Sequence, residues 1–149
     1  MATVKFDAPG FWDLGPEVLK VVREAAAPFE LRLSFFALGD PEDPSTAVAN
    51  MLEMPPNFVL PRHAHDCERL EIVVRGTLEV DGEILHPGDI SVARPMEMYG
   101  PHVAGPEGCV TLEFFSSMQG VGQVILDTPD GPEVTRYLEP RYFDNGNES

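Results

Sequence analysis

The chain has 149 residues, of which 43% are hydrophobic, and its 25 acidic and 10 basic residues give a formal net charge of −15. Such a length suits one domain with its own core, and such a composition excludes an intrinsically disordered chain. The negative charge repels phosphate groups, so nucleic acid is not expected as a partner. No stretch approaches the roughly 20 apolar residues that a membrane-spanning helix needs, so no membrane insertion is expected.

The first residues and the cysteines favour a cytoplasmic location. The N-terminal sequence MATVKFDAPG lacks the basic and apolar regions of a secretory signal peptide. The two cysteines, Cys67 and Cys109, are too few for a disulfide framework. We expect both to be free thiols in a reducing compartment.

The N-terminal part of the chain predicts an arm, one helix and a first strand. Residues 1–14 combine aromatic side chains with proline and glycine, which indicates an arm packed against its own domain or a partner subunit. Residues 16–27 predict the helix, because Pro16 suits a first helical turn and Pro28 ends it. Its apolar face is expected to hold Val18, Val21, Val22 and Ala25.

Short runs rich in β-branched and aromatic residues follow the helix. The predicted strands are residues 29–38, 46–54, 69–76, 77–80, 83–85, 90–93, 109–115, 122–127 and 134–139. Asp81-Gly82 predicts a hairpin turn, and residues 94–108 predict a long loop because they include three prolines. Residues 141–149 are expected to fray. Many short strands after one early helix predict an all-β sandwich or barrel.

Two histidines, His63 and His65, precede the strand predicted at 69–76. Side chains two residues apart on an extended chain point to the same side, so both imidazoles can bind one metal ion. An HxH pair alone is a weak indication of a metal site, and its meaning depends on the sequence around it.

The sequence from 46 to 116 resembles the cupins. The first motif of that family contains HxH, a glutamate and a glycine, and His63, His65 and Gly76 match it in spacing. The stretch TLEVDGEILHPGDISVARP then resembles the cupin hairpin, with its PGD turn at 87–89. The resemblance implies an all-β fold: a double-stranded β-helix (jelly-roll) barrel with one short N-terminal helix.

The resemblance also implies an organisation for the whole chain. Residues 1–149 would form a single cupin domain, in which 1–45 supply the arm, helix and first strand, 46–116 the core motifs, and 117–149 the last strands and tail. Cupins are usually dimers and hold a divalent metal ion through three histidines and one glutamate. We therefore expect a homodimer that binds one divalent ion, namely Fe, Ni, Mn or Zn.

The glutamate position of the family motif is occupied by Arg69, a cation that cannot bind a metal ion. Glu68 and Glu71 lie on either side of it. On an extended strand, Glu71 points to the same side as the histidine pair, whereas Glu68 need not. Glu71 nevertheless lies two residues, or about 6.6 Å, beyond the usual position. Glu71 is the expected replacement, with Glu68 as the alternative.

The third histidine of the family aligns with Tyr99, and His102 follows three residues later within the predicted loop. Either side chain is able to take the place of the missing ligand. We expect His102 to do so, although it also suits the role of a proton shuttle or a surface histidine. The expected metal ligands are His63, His65, Glu71 and His102.

The strand from 69 to 75 has two different faces. Its polar face holds Arg69 and Glu71, and its apolar face holds Leu70 and Ile72. In one arrangement the polar face lines the barrel, and the apolar face is covered by the arm or by a partner. In the other, the apolar face is the core and the polar face meets water. The cupin-like spacing favours the first arrangement.

Arg69, Glu71 and Tyr99 are the expected catalytic residues. Arg69 and Glu71 either form a buried salt bridge or act separately, with Glu71 on the metal and Arg69 on an anionic substrate. Tyr99 donates a hydrogen bond, acts as an acid, binds the metal as phenolate, or is simply a packed aromatic residue.

The resemblance implies a metal-dependent enzyme that acts on a small organic molecule by dioxygenation, isomerisation or polyketide cyclisation. A metal ion would polarise a carbonyl or enolate oxygen, and a carboxylate or histidine would move a proton. One alternative is a non-catalytic cupin that binds or senses a small molecule, with or without a structural metal. Another is a metal-free enzyme in which Tyr99, Glu71 and His102 perform acid–base chemistry.

Overall fold

Residues 1–136, which a computed structural model describes, fold into ten strands and two α-helices. In chain order they are α1 (Lys20–Ala26), β1 (Arg32–Ala37), β2 (Val48–Met54), β3 (Val59–Leu60), β4 (His63–His65), β5 (Arg69–Val80), β6 (Glu83–Leu85), β7 (Ile90–Ala93), β8 (His102–Phe115), α2 (Met118–Gly122), β9 (Gln123–Thr128) and β10 (Gly131–Arg136). The predictions for 137–139 and 141–149 lie outside the described residues. No helix within the described part is long and apolar enough to cross a lipid bilayer.

The strands form two antiparallel sheets. The larger sheet has seven strands in the order β1-β2-β8-β5-β6, with β3 beside β8 and β7 beside β5, and the smaller has the order β10-β9-β4. The main apolar core takes side chains from both sheets and from α1, among them Phe35, Val73 and Val124. Cys67 and Cys109 are buried there as free thiols, as expected. The all-β prediction is confirmed.

The N-terminal arm packs on the outer face of the larger sheet of its own chain. Phe11 is buried there with Met51 and Val110 and contacts the Trp12 ring edge to face, with ring centroids 4.9 Å apart. The Phe35 amide donates a hydrogen bond to the Leu14 carbonyl at 3.0 Å. The sequence left open whether the arm packs against its own domain or a partner subunit. In the structure it packs against its own domain.

The helix lies within the range that the sequence predicts, but the prediction of which residues form its buried face is partly wrong. Leu19, Val22 and Ala26 are buried, whereas Val18 and Val21 are 62% and 45% exposed. The residues just before α1 form a 3-10 turn. Because such a turn has three residues rather than 3.6, it rotates the buried face relative to that of an ideal α-helix.

The prediction of a loop over residues 94–108 is wrong for its second half, because β8 begins at His102. The pairing of β5 with β8 shifts register between Gly76↔Cys109 and Leu78↔Ala104, and this shift accommodates the breaker residues at 105–108. Gly76 and Gly108 take positive φ values of 75° and 83° beside this shift. Pro106 is tolerated because a bulge leaves ladder positions unpaired. The short helix α2 was not predicted either.

Replacing Gly76 with alanine is expected to destabilise the fold by about 3 kcal/mol or more, from left-handed strain and from overpacking. A Cβ there would lie 2.1 Å from the Gly108 carbonyl oxygen. Gly82 is the matched control, because its φ is 83° and a Cβ meets no atom within 4 Å. Gly82→Ala is expected to cost only about 1–2 kcal/mol. Urea unfolding of both variants measures the difference, and equal losses would contradict the bulge packing.

Candidate active site

The inward faces of β4, β5 and β8 carry ionisable groups instead of a purely apolar lining. Six such residues are each at most 5% exposed: His63, His65, Arg69, Glu71, His102 and Glu113. We call these six residues the polar centre. Of the two arrangements considered for strand 69–75, the structure therefore shows the polar face inward.

Arg69 is the single guanidinium of the polar centre and is paired with two carboxylates. Its Nη2 donates to Glu71 Oε2 at 2.5 Å and its Nε donates to Glu113 Oε2 at 2.8 Å. The guanidinium carbon also lies 4.7 Å from the centroid of the Tyr99 ring. Burial lowers the pKa of Arg69, but the carboxylates of Glu113 and Glu71 outweigh it and raise that pKa well above its usual range. Arg69 is thus held as a cation in a buried salt bridge.

Glu113 belongs to the polar centre, and sequence reasoning missed it. Burial raises the pKa of its carboxyl to about 7, although the positive charge of Arg69 opposes this rise. A signal was present in the strand 109–115, where Thr111 and Glu113 alternate with the apolar Val110 and Leu112. Strand 69–75 has the same polar and apolar alternation, so the two strands share an inward polar face.

The histidines of the polar centre are held as neutral imidazoles. The Nδ1 of His63 lies 2.6 Å from the Pro61 carbonyl oxygen, and that of His65 lies 2.8 Å from the Gly120 carbonyl oxygen. Because a carbonyl only accepts, each Nδ1 carries the hydrogen and each Nε2 carries the lone pair. Burial lowers the pKa of His65 to about 4 and the pKa values of His63 and His102 well below their usual range.

The donor atoms have the chemistry that a divalent metal ion requires. His102 Nε2 lies 3.7 Å from Glu71 Oε1, and neither buried atom has a hydrogen-bond partner among residues 1–136. Neutral imidazoles with one carboxylate oxygen suit Zn, Fe, Ni or Mn. In the described part of the chain, no three His, Cys, Asp or Glu side chains are close enough to hold one ion as they stand. Metal binding would therefore require these side chains to draw together.

Tyr99 and Glu68, the other residues considered at the sequence level, are placed differently. Tyr99 is buried, and its backbone exchanges two hydrogen bonds of 3.0 Å with His63. Glu68 is exposed, and its Oε2 accepts a hydrogen bond from Ser116 Oγ at 2.7 Å. Glu71, not Glu68, therefore lies beside the histidines.

Two small cavities adjoin the polar centre. The first has a volume of about 30 Å³, and its lining includes His63, His65 and Val22. The second has a volume of about 100 Å³, and its lining includes Tyr99 and Glu97. The first has room for about one water molecule, and neither reaches the several hundred Å³ typical of ligand sites.

No protein-family model matches the chain, and no curated protein matches it. Several solved structures, in contrast, are similar to the chain. An acetylacetone dioxygenase from Acinetobacter johnsonii aligns with 95% of this chain and 89% of its own at 14% identity, with a TM-score of 0.59. An RmlC-like cupin from Ralstonia eutropha aligns with 72% of this chain and 67% of its own at 15% identity, with a TM-score of 0.52.

A third structure, the polyketide cyclase RemF from Streptomyces resistomycificus, aligns with 72% of this chain and 70% of its own. Its identity is 23% and its TM-score is 0.50. At such identities a likeness establishes the fold and leaves the activity open. These likenesses, together with the two-sheet architecture, show that the chain is a protein of the cupin fold.

Proposed function

We propose that this chain is an enzyme that acts on a small organic molecule at the polar centre, with one divalent metal ion. The proposal depends on one observation, the burial of six ionisable side chains inside a single β fold. Buried charges cost free energy unless they are fully paired, so a fold that needs only stability has no reason to keep them. Clusters of perturbed titratable groups are typical of active sites. The likeness to an acetylacetone dioxygenase and a polyketide cyclase supports this class of function.

The proposed metal ligands are His63, His65 and His102 through Nε2, with Glu71 Oε1 as the fourth donor. The hydrogen bonds from Nδ1 to the Pro61 and Gly120 carbonyls fix the tautomers of the first two rings, as outer partners of metal-binding histidines do. An ion bound there would polarise a carbonyl or enolate oxygen of the substrate.

The proposed proton acceptor is Glu113. A carboxyl with a pKa near 7 both accepts and returns a proton at neutral pH, which is the requirement for general acid–base catalysis. Arg69 positions Glu113 and Glu71 through its two charge-assisted hydrogen bonds. Tyr99 lies against the Arg69 guanidinium and contributes a hydroxyl for a substrate oxygen. This combination suits a carbonyl compound with an acidic C–H bond.

The size of the cavities favours a second candidate, a non-catalytic cupin with a structural metal. Volumes of about 30 and 100 Å³ leave no room for a drug-sized ligand while the structure stays closed. Turnover of an enolisable carbonyl compound, with or without O₂, distinguishes the enzyme from this candidate. Tight ligand binding without turnover would favour a binding or sensing protein.

We also propose a homodimer, formed through an outer patch of the larger sheet that the arm leaves uncovered. Its apolar residues are Leu70, Ile72, Val74, Ile90, Val92 and Phe114. Leu70 faces Val92 on β7 and Phe114 on β8, and Ile72 faces Ile90, so these five residues share one face, with exposed Val74 following on β5. A contiguous apolar surface of this kind is typical of an interface.

Untagged protein soaked with Fe²⁺, Ni²⁺, Mn²⁺ or Zn²⁺ and desalted is expected to retain about one ion per chain. His63→Ala/His65→Ala should lose that ion, because two of the four donors are gone. His86→Ala is the control, since His86 is exposed and far outside the proposed ligand set. Elemental analysis by ICP-MS measures the metal, and circular dichroism checks the fold. A metal-free wild type after soaking would exclude the metal enzyme.

Glu113→Gln is expected to change how the stability of EDTA-treated protein depends on pH. The Glu113 pKa is about 7 in the folded protein against an ordinary value of 4.5, so only the folded chain holds this proton between those values. The stability it contributes is fully present below pH 4.5 and is lost as the pH rises through 7. Between pH 4.5 and pH 7, the free energy of unfolding of the wild type should fall by roughly 3 kcal/mol relative to that of the variant.

Urea unfolding at a series of pH values measures this difference, and the histidine contributions cancel because both proteins share them. Exposed Glu79→Gln is the matched control and should follow the wild type. A Glu113→Gln profile parallel to that of the wild type would show that Glu113 is ionised throughout.

The outer patch is tested by Val92→Asp, which is expected to convert a dimer to a monomer because it buries an unpaired charge in the interface. Val134→Asp on β10 is the matched control, since the two valines are 68% and 65% exposed. Light scattering coupled to gel filtration gives the mass of each variant. A monomeric wild type, or a dimeric Val92→Asp variant, would contradict this interface.

A further inference from the structure

An apolar groove of about 680 Å³ runs along the outer side of α1 and is separate from the two cavities of the polar centre. Its apolar lining includes Val18, Leu19, Val21, Val22 and Met118. The groove explains why Val18 and Val21 lie exposed on a helix whose opposite side is buried. Its volume falls in the range of roughly 300–1,000 Å³ that is typical of small-molecule sites.

Val22 connects this groove to the polar centre. Its side chain lines the groove on one side and, on the other, the cavity of about 30 Å³ whose lining includes His63 and His65. Among the described residues it is the only one that lines both. The Val22 side chain therefore lies between the apolar groove and a cavity at the polar centre that is too small for a ligand.

We propose that the groove binds the apolar part of an uncharged small molecule, a ring or an acyl chain, and that displacement of Val22 admits its reactive end to the polar centre. The charged residues of the lining are Glu17 and Glu42, and the chain carries a net charge of −15, so an anionic ligand is repelled. Only the reaction at the polar centre rests on the proposed function; binding in the groove requires neither metal nor turnover.

Binding is tested with two fluorescent probes that share one ring system, uncharged phenylnaphthylamine and its sulfonated relative anilinonaphthalene sulfonate. The wild type should bind the uncharged probe at least about tenfold more tightly. Val18→Asp places a charge in the groove and should weaken this binding by about tenfold or more, whereas the equally exposed Val134→Asp should leave it unchanged. Gly122→Leu should also weaken it, because a Cβ at Gly122 meets no atom within 4 Å and a longer side chain extends into the groove.

Access through Val22 is tested with diethyl pyrocarbonate, which modifies accessible histidines. Of the four histidines, exposed His86 should react in every variant and serves as the internal standard. Val22→Ala should raise the rate at the buried histidines by about tenfold or more, and bound phenylnaphthylamine should reverse this rise. Leu19→Ala is the matched control, because Leu19 is buried on the same helical segment and lines only the groove.

Three outcomes would overturn the proposal. Equal histidine reactivity in Leu19→Ala and Val22→Ala would show that the helix merely loosens. Equal or tighter binding of the sulfonated probe would exclude an uncharged ligand. Conversion of a wild-type dimer to a monomer by Val18→Asp would show that a second copy of the chain covers the groove. Failure of metal loading alone leaves the probe results unaffected, so the two proposals fail separately.

Discussion

The pairing of Arg69 with Glu71 and Glu113 is the interaction on which the rest of the interior depends. It places one cation between two carboxylates in a region where each charge alone would be costly. Burial is the main cause that lowers the pKa values of the neighbouring histidines, and the positive charge of Arg69 adds to it. Well-packed apolar residues would stabilise a β fold equally well or better at these positions. Stability alone therefore does not explain why these positions carry charges.

The polar interior has a consequence for the outside of the same sheet. Strand side chains alternate between the two faces, so a strand that directs Arg69 and Glu71 inward must direct Leu70 and Ile72 outward. The N-terminal arm covers the part of this outer apolar surface around Met51 and Val110. The remainder lies on β5, β7 and β8 and is the outer patch through which a homodimer is proposed. The patch itself carries no charged side chain, so an association there would bury no charge of the patch.

Much of this fold was predictable from the sequence, because its determinants are local. Short strands separated by turn residues predicted an all-β fold, the resemblance of His63, His65, Gly76 and the turn at 87–89 to the cupin motifs implied the cupin fold, and strand parity placed Glu71 beside the histidines. Glu113 was missed because its partner, Arg69, is 44 residues away and the pairing depends on strand register. The phase of the helix and the start of β8 were wrong because a 3-10 turn and a bulge each shift the periodicity locally.

The position of α1 bears on access to the polar centre, because Val22 lines the adjoining cavity. Because the histidines are almost fully buried and the adjoining cavity holds about one water molecule, a substrate reaches them only if some part of the wall moves. The larger sheet is held by long antiparallel ladders, whereas α1 is a seven-residue helix whose buried residues are Val22 and Ala26. Elements with few buried contacts open at the lowest free energy. A local opening at Val22, the α1 side chain that lines both this cavity and the apolar groove, is therefore expected to cost less than opening a sheet.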